Sequence, residues 1–183
     1  RLLQHEFSVP GSLRAILLGG GPAERDLVAE AIARGLPVLR TYGLTEACSQ
    51  VTTTPIDEVD SKFGSSGKPL AFTEVRIADE DGSQKSTGET GEIVIRGKTV
   101  TSGYLKQQSE NDSKFTDGWF RTGDYGYLDD EGDLYALSRK DDIIISGGEN
   151  VMPEEVESAL LSDSSINDAC VFGVADSEWG EKI

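Results

Sequence analysis

The sequence predicts an α/β fold that continues into a smaller part built mainly from β-strands. A short apolar run at residues 15–18 ends in a glycine-rich turn, an amphipathic segment at 23–34 follows, and a second apolar run occupies 36–39. This order is typical of a parallel β-α-β unit. Beyond residue 60 the pattern changes to short alternating strands separated by turn residues, which predicts antiparallel sheet.

The individual elements follow from local patterns. Leu27, Val28, Ala31 and Ile32 would share one face of the first helix, and Gly35 is placed to end it. Pro153 is suited to the first turn of a second helix that extends to residue 161. Further strands are predicted at residues 74–78, 91–97, 125–128, 133–137, 143–145 and 169–174.

Composition restricts the classes of function. The chain has 183 residues with 33 Asp and Glu against 17 Lys and Arg, a formal net charge of −16, which argues against nucleic acid or anionic membranes as partners. No apolar run approaches the ~18 residues of a membrane span. The only histidine, His5, makes a Ser-His-Asp hydrolase or a His-rich zinc site a poor interpretation. Cys48 and Cys170 have no metal or redox spacing, and unpaired thiols are typical of a cytoplasmic protein.

Three turn-rich segments carry hydroxyl, carboxylate or guanidinium groups near predicted strand ends, where open α/β sheets bind ligands. They are Tyr-Gly-Leu-Thr-Glu at 42–46, Trp-Phe-Arg-Thr-Gly-Asp at 119–124, and Ser-Arg-Lys-Asp-Asp at 138–142 followed by Ser-Gly-Gly-Glu-Asn-Val at 146–151. In this order and at these separations they resemble the motifs of adenylate-forming, AMP-binding enzymes, in particular the acyl-CoA synthetase branch. The resemblance covers residues 17–180.

The resemblance implies both an activity and a domain plan. The activity is ATP-dependent activation of a carboxylic acid as acyl-AMP, followed by transfer to CoA. The plan comprises the end of a large α/β AMP-binding domain at 1–60, a small distorted β-barrel at 61–138, a hinge at 139–142 and the start of a small, mobile α+β C-terminal domain at 143–183. The chain begins without Met, so we expect a piece of a longer polypeptide with little or no ligase activity on its own.

Thr45 and Glu46 are the predicted catalytic residues. A hydroxyl can donate to a phosphate oxygen, and a carboxylate is a hard ligand suited to Mg²⁺, so Glu46 is the predicted metal ligand. The alternative is local, with Thr45 capping a helix and Glu46 in its first turn. The resemblance favours the site and adds Tyr42 and Gly43 as nucleotide contacts.

The glycine-rich turn at 19–22 is a second candidate contact. Without side chains, its backbone admits a flat ligand, although such turns also occur for structural reasons alone. The resemblance places this turn against adenine, which assigns Gly20, Gly21 and Pro22 to nucleotide binding.

Asp124 is the predicted ribose ligand, because a carboxylate can accept hydrogen bonds from both vicinal hydroxyls. The alternative is an Asx-turn before a hairpin. The resemblance marks Arg139 as another nucleotide contact and Asp141 as the pivot of a domain rotation. The alternative for both is an exposed charge cluster.

The last motif concerns CoA and the acid. By resemblance, Ser146, Gly147 and Gly148 line a pantetheine tunnel, where glycines permit a narrow channel. Residues 19–22 together with 45–50 are most similar to the branch that acts on o-succinylbenzoate in menaquinone biosynthesis. Within that segment, Cys48 is expected to be a small buried hydrophobe rather than a border of the acyl pocket. A fatty-acyl or aryl-CoA ligase, an aminoacyl-adenylating module and a non-catalytic nucleotide-binding relative remain alternatives.

Overall fold

The first sheet contains the predicted β-α-β unit. The structure, a computed structural model, describes residue 3 and residues 5–21, 25–59, 61–163 and 165–183, with only the backbone of residue 25. Strands β1 (Ile16–Leu18) and β2 (Val38–Leu44) are parallel, and helix α1 (Arg25–Ala33) joins them. Strands β3 (Ser49–Thr53) and β4 (Lys68–Pro69) extend the sheet in the order β1-β2-β3-β4. The predicted helix start and Pro22 lie outside the described residues.

Helix α1 ends as the sequence predicts. Gly35 has φ +81, and its N–H donates to the Ile32 carbonyl at 2.8 Å, while the Leu36 N–H donates to Ala31 at 3.0 Å. These two bonds form a Schellman motif, in which glycine adopts the left-handed conformation without strain. Val28 and Ala31 then pack with Leu36 and Val38 in a buried cluster that fixes the helix on the sheet.

The second sheet is antiparallel and surrounds its longest strand. It contains β5 (Thr73–Ala78), β6 (Gly91–Gly97), β7 (Phe115–Thr116), β8 (Trp119–Leu128) and β9 (Leu134–Arg139). Strand β8 pairs with β6 along one edge, and with β7 and then β9 along the other. Register shifts in the pairing of β8 with β6 and with β9 make the sheet irregular. Helix α2 (Gln108–Lys114) precedes β7 and was not predicted.

One core joins the first two sheets. Ala47 and Val51, at the end of the α/β part, pack directly with buried residues of the antiparallel strands. Those partners are Ile77, Ile93, Ile95, Phe120 and Leu134. The shared core therefore holds the end of β2 beside the middle of β8, and these are the places where two of the three motifs lie. The predicted domain boundaries stay predictions.

The third sheet holds β10 (Ile144–Ser146), β11 (Glu149–Val151), β12 (Val174–Asp176) and β13 (Gly180–Lys182), in the order β11-β10-β13-β12. Helix α3 (Pro153–Leu161) begins at the predicted proline. The predicted strand at 169–174 is wrong except for its last residue. Strand β10 already pairs with β11 and β13, and the Val171 N–H instead donates to Glu157 Oε1 at 2.8 Å.

The predicted fold class is confirmed, with a β-α-β unit, an irregular antiparallel sheet and a small α+β part in that order. Within the part of the chain that the structure describes, every helix is too short or too polar to cross a bilayer.

Candidate nucleotide site

Tyr42, Asp124 and Arg139 come together although they are distant in sequence. The Tyr42 hydroxyl donates to Asp124 Oδ2 at 2.6 Å, and Arg139 Nε lies 3.3 Å from Asp124 Oδ1. Asp124 in β8 is directly opposite Arg139 in β9, so the strand register creates the second contact. Three predicted nucleotide contacts therefore form one cluster centred on a carboxylate.

The environment keeps Tyr42 a neutral donor. Burial, followed by the nearby Asp124 carboxylate, raises the pKa of Tyr42 far above its ordinary value of 10. Arg139 differs, since its side chain is 71% exposed and its ion pair with Asp124 contributes little to folding. An exposed partner of this kind can be exchanged for another donor, such as a ribose hydroxyl, at low cost.

A buried network fixes the backbone around Asp124. Glu92 is only 3% exposed; it accepts from Arg121 Nε at 3.0 Å, and its other oxygen accepts from the Gly123 N–H at 3.1 Å. The Thr122 hydroxyl donates to the Ile93 carbonyl at 2.7 Å and accepts from the Asp124 N–H at 3.0 Å. Because Thr122 caps this turn and the Asp124 carboxylate bonds Tyr42, the Asx-turn alternative is wrong.

Thr45 and Glu46 begin a 3₁₀ turn, Thr45–Ala47, immediately after β2. The residue before the turn is Leu44, and no side chain caps it, so the N-cap alternative for Thr45 is wrong. Among the described residues, the Thr45 hydroxyl has no hydrogen-bond partner, and Thr45 is exposed. Glu46 lies in this turn, four residues after Tyr42, and neither a hydrogen bond nor an ion pair joins its side chain to Asp124.

Tyr104 is a partner of Glu46 that the sequence did not predict. The Tyr104 hydroxyl donates to Glu46 Oε1 at 2.6 Å, and the Thr101 N–H donates to the Glu46 carbonyl at 2.7 Å. Burial and the adjacent Glu46 raise the pKa of Tyr104 to about 12. The two residues are 58 positions apart, and no local sequence pattern predicts such a contact.

Gly43 and Cys48 shape the end of β2. The β2–β3 register shifts between Tyr42 and Gly43, and a Cβ on Gly43 would collide with the Ser49 carbonyl. Gly43 is therefore required by strand packing, and a nucleotide contact through it stays a prediction.

Cys48 ends the 3₁₀ turn in the left-handed conformation, with φ 59. Its side chain is exposed, so the expectation that it is buried is wrong.

The glycine-rich turn lies beside the same strand. Gly19 is packed so closely against Thr41 that a Cβ would collide with it. Gly20 has φ +88, and a Cβ on Gly20 or Gly21 would meet no atom of the described residues within 4 Å. The backbone at Gly20 and Gly21 is thus open, as approach by a flat ligand requires.

The predicted hinge directly follows the Asp124 partner. Residues Lys140–Asp142 form a 3₁₀ turn after β9, and Asp141 is exposed. Exposure alone agrees equally with the charge-cluster alternative, so the pivot stays a prediction.

The predicted CoA-tunnel residues form the β10–β11 turn. Gly147 and Gly148 have φ 62 and 87, as a two-residue hairpin turn of type I′ requires. The Gly147 N–H donates to the Trp179 carbonyl at 2.9 Å, and the Ser146 hydroxyl donates to the Glu181 carbonyl at 2.8 Å. These two hydrogen bonds join the turn to β13 and to the residue before it. Within the described residues, no hydrogen bond or ion pair joins this turn to Glu46 or Asp124.

Two sites with acidic side chains are candidates for binding a metal ion. Glu58, Glu131 and Asp133 have ligand atoms within 4.8 Å of one another, but Lys62 and Lys68 already form ion pairs with them. These ammonium groups occupy the position that a cation would take. At Glu46, in contrast, Oε2 has no hydrogen-bond partner among the described residues, and Glu46 forms no ion pair there. A carboxylate oxygen left without a partner by the described residues, on the residue that follows Thr45 in the same 3₁₀ turn, fits the hard ligands that Mg²⁺ prefers.

Comparison with known proteins agrees with this geometry. A model of the AMP-binding enzyme family matches residues 1–105, more than half of the chain. The chain therefore belongs to the AMP-binding enzyme family.

Two relatives show the branch of the family that it resembles. The 2-succinylbenzoate–CoA ligase of Bacillus licheniformis is 50% identical over 172 residues, which cover 94% of this chain and 36% of that protein. The o-succinylbenzoate CoA synthetase of Bacillus subtilis with its acyl-adenylate intermediate OSB-AMP has a TM-score of 0.92 at 47% identity, covering 98% of this chain and 37% of that one.

The Bacillus subtilis protein has also been solved in other states. Its complex with ATP and magnesium ion gives a TM-score of 0.90 at 46% identity, covering 97% of this chain and 37% of that one. A double mutant bound to the product analogue OSB-NCoA gives 0.74 at 46% identity, covering 98% and 37%. The chain thus spans a little over one third of the length of these relatives.

Proposed function

We propose that this chain provides part of the nucleotide site of an ATP-dependent 2-succinylbenzoate–CoA ligase. The observation that carries the proposal is the cluster of Tyr42, Asp124 and Arg139, in which a strand end of the α/β part meets the antiparallel sheet. The 50% identity to a ligase of this name supports the choice of acid. The proposed location is the cytoplasm, in agreement with the free thiols of Cys48 and Cys170.

Each residue then has a role in binding ATP. Asp124 accepts from the ribose hydroxyls, Arg139 makes a second nucleotide contact, and Tyr42 packs with the open glycine turn against adenine. Thr45 donates to a phosphate oxygen, and Glu46 would hold Mg²⁺. When bound, the ion neutralises phosphate charge and makes the α-phosphorus more electrophilic.

The reaction has two steps. The substrate carboxylate attacks the α-phosphorus, the bond to the β-phosphate oxygen breaks, and pyrophosphate leaves with its electron pair. The CoA sulfur then attacks the acyl carbon, the thiol proton is lost to solvent or base, and AMP leaves. These residues orient the nucleotide and stabilise charge, because neither proposed step forms a covalent bond to the protein.

The second step requires CoA to reach the acyl-adenylate, and we assign the required movement to the hinge at Asp141. The β10–β11 turn, with Ser146, Gly147 and Gly148, then lines the CoA path. The lower TM-score to the product-analogue complex, 0.74 against 0.92 for the acyl-adenylate complex, supports a different arrangement of parts in the two states. Movement about a short polar turn is a common device for such a change.

The test is acid-dependent pyrophosphate release by the full-length protein. We expect 2-succinylbenzoate to support release and CoA-thioester formation, with fatty, aryl and amino acids far less effective. Asp124→Ala and Glu46→Ala should abolish most of the rate. Preference for another acid would assign the protein to another branch of the ligases. Unchanged activity of both variants would show that Asp124 and Glu46 do not form the nucleotide site.

A further inference from the structure

We propose that Tyr104 is a positioning residue for the carboxylate of Glu46. This inference rests on the proposed function, because it places Tyr104 beside the same nucleotide site. Its starting observation is the 2.6 Å hydrogen bond from the Tyr104 hydroxyl to Glu46 Oε1. Hydrogen bonds to an ionised group are among the stronger ones in proteins, so this contact can restrain a flexible side chain.

The backbone of Tyr104 is itself fixed by helix α2. The Tyr104 N–H donates to Asn111 Oδ1 at 2.7 Å, and Asn111 Nδ2 donates to the Tyr104 carbonyl at 2.9 Å. One amide side chain thus satisfies both polar backbone groups of Tyr104. The ring is held separately, since it packs edge-on against Phe115 with ring centroids 6.1 Å apart. The position of the Tyr104 hydroxyl is therefore restrained through both the backbone and the ring of this residue.

The same loop also holds the backbone of Glu46. Thr101, three residues before Tyr104, donates its N–H to the Glu46 carbonyl at 2.7 Å. Gly103 has φ +147, and a Cβ there would lie 3.0 Å from Asn111 Oδ1, so glycine permits the close approach of Asn111. The loop at 101–104 therefore restrains both the main chain and the carboxylate of Glu46.

This arrangement leaves one carboxylate oxygen for a ligand. Oε1 is engaged by Tyr104, whereas Oε2 has no hydrogen-bond partner among the described residues. Restraining the Glu46 side chain before the cation arrives reduces the rotamer entropy that is lost on binding. Partners that orient a metal-binding carboxylate are typically worth about 10-fold to 100-fold in metal affinity.

The test replaces Tyr104 with Phe in the full-length protein, which removes the hydroxyl and keeps the ring against Phe115. Free Mn²⁺ is measured by electron paramagnetic resonance in the presence of α,β-methylene-ATP. We expect Tyr104→Phe to weaken Mn²⁺ binding about 10-fold and to raise the Mg²⁺ concentration for half-maximal pyrophosphate release by a similar factor. At saturating Mg²⁺, the ATP KM should be nearly unchanged.

Tyr127→Phe is the matched control. Tyr127 is a partly buried tyrosine of β8 whose ring stacks on Tyr135 at 4.7 Å, and its hydroxyl is not bonded to Glu46. We expect Mn²⁺ binding by this variant to equal that of the wild type. Comparing the thermal unfolding midpoints of the two variants separates lost positioning from lost stability.

The results distinguish the two proposals. Unchanged Mn²⁺ binding by Tyr104→Phe overturns the positioning role, as does weakened binding accompanied by a large fall in its unfolding midpoint. If the wild type binds Mn²⁺ with the analogue but releases no pyrophosphate with any acid, the ligase proposal fails, and the Mn²⁺ measurement still decides the role of Tyr104. If the wild type binds no Mn²⁺ with the analogue, both proposals fail.

Discussion

Tyr42 donates a 2.6 Å hydrogen bond to Asp124 across 82 positions of the chain. The bond connects the C-terminal part of β2 to the middle of β8, and it links two motifs that the sequence shows only as separate segments. The alignment of the Asp124 carboxylate therefore depends on Tyr42 as well as on its own turn.

The first prediction concerns the Tyr42 hydroxyl and pH. Its folded pKa lies above the ordinary value of 10, so the folded state favours the protonated form. The resulting stabilisation is complete below pH 10 and is lost as pH rises toward the folded pKa. Compared with Tyr42→Phe, the wild type should lose up to ~1.4 kcal/mol of unfolding free energy per pH unit above 10. Urea denaturation at pH 9, 10 and 11 measures this, and a constant difference would refute it.

The second prediction tests ribose recognition. Asp124→Asn preserves size but replaces one acceptor oxygen with a donor and removes the charge. We expect nucleotide binding to weaken by ~10-fold to 100-fold, as for loss of a hydrogen bond to a charged group. Calorimetric titration with α,β-methylene-ATP measures it. Asp130→Asn, in the exposed β8–β9 turn, is the control, and equal affinities for the two variants would rule out the assignment.

The β-α-β unit could be predicted from the sequence alone, whereas the cluster of Tyr42, Asp124 and Arg139 could not. The β-α-β unit and its Gly35 terminus were predictable because helix periodicity and glycine preference are local properties. The meeting of Tyr42, Asp124 and Arg139 was expected only through family resemblance, because it depends on the shared core of two sheets. Which groups would bond within it could not be derived from spacing.

Two other errors have a similar physical origin. Helix α2 has the sequence Gln-Ser-Glu-Asn-Asp-Ser-Lys, which has no apolar face and therefore gives no periodic signal. The apolar run at 169–174 satisfies strand propensity, yet strand formation depends on an available edge, and β10 has partners on both sides. Pairing of this kind is decided by tertiary structure.

The third prediction concerns the buried Glu92. Glu92→Gln leaves the Arg121 guanidinium, whose Nη2 lies 2.5 Å from Glu92 Oε2, without its charge partner. We expect a loss of ~3 kcal/mol in unfolding free energy, because breaking one side of a buried pair leaves an uncompensated charge. Thermal or urea unfolding of the full-length protein measures it.

The control for this variant is Glu74→Gln. Glu74 pairs with Arg96 on the same sheet, but both side chains are largely exposed, so little change in stability is expected. If the two substitutions prove equally mild, Glu92 does not hold the turn that carries Asp124.

The fourth prediction separates the two reaction steps. A Cβ on Gly147 would lie 2.7 Å from the Trp179 ring, and φ 62 is strained for alanine. Gly147→Ala should therefore displace the β10–β11 turn and slow thioester formation on the order of 10-fold or more, with pyrophosphate release nearly unchanged. Quenched-flow measurement of both products would show it.

Gly132→Ala provides the matched control for Gly147→Ala. Gly132 has φ 84 in the β8–β9 turn, and a Cβ there meets no atom within 4 Å. The control thus carries similar backbone strain without the contact. Equal slowing of both steps by Gly147→Ala would argue against a specific role in CoA transfer.

The most direct measurement is a crystal structure of the full-length protein with 2-succinylbenzoyl-adenylate. We predict that the Asp124 carboxylate accepts from the ribose hydroxyls, while Thr45 and Glu46 lie at the phosphate end of the same ligand. A ligand bound elsewhere, or one that contacts Asp124 through neither hydroxyl, would contradict the proposed nucleotide site.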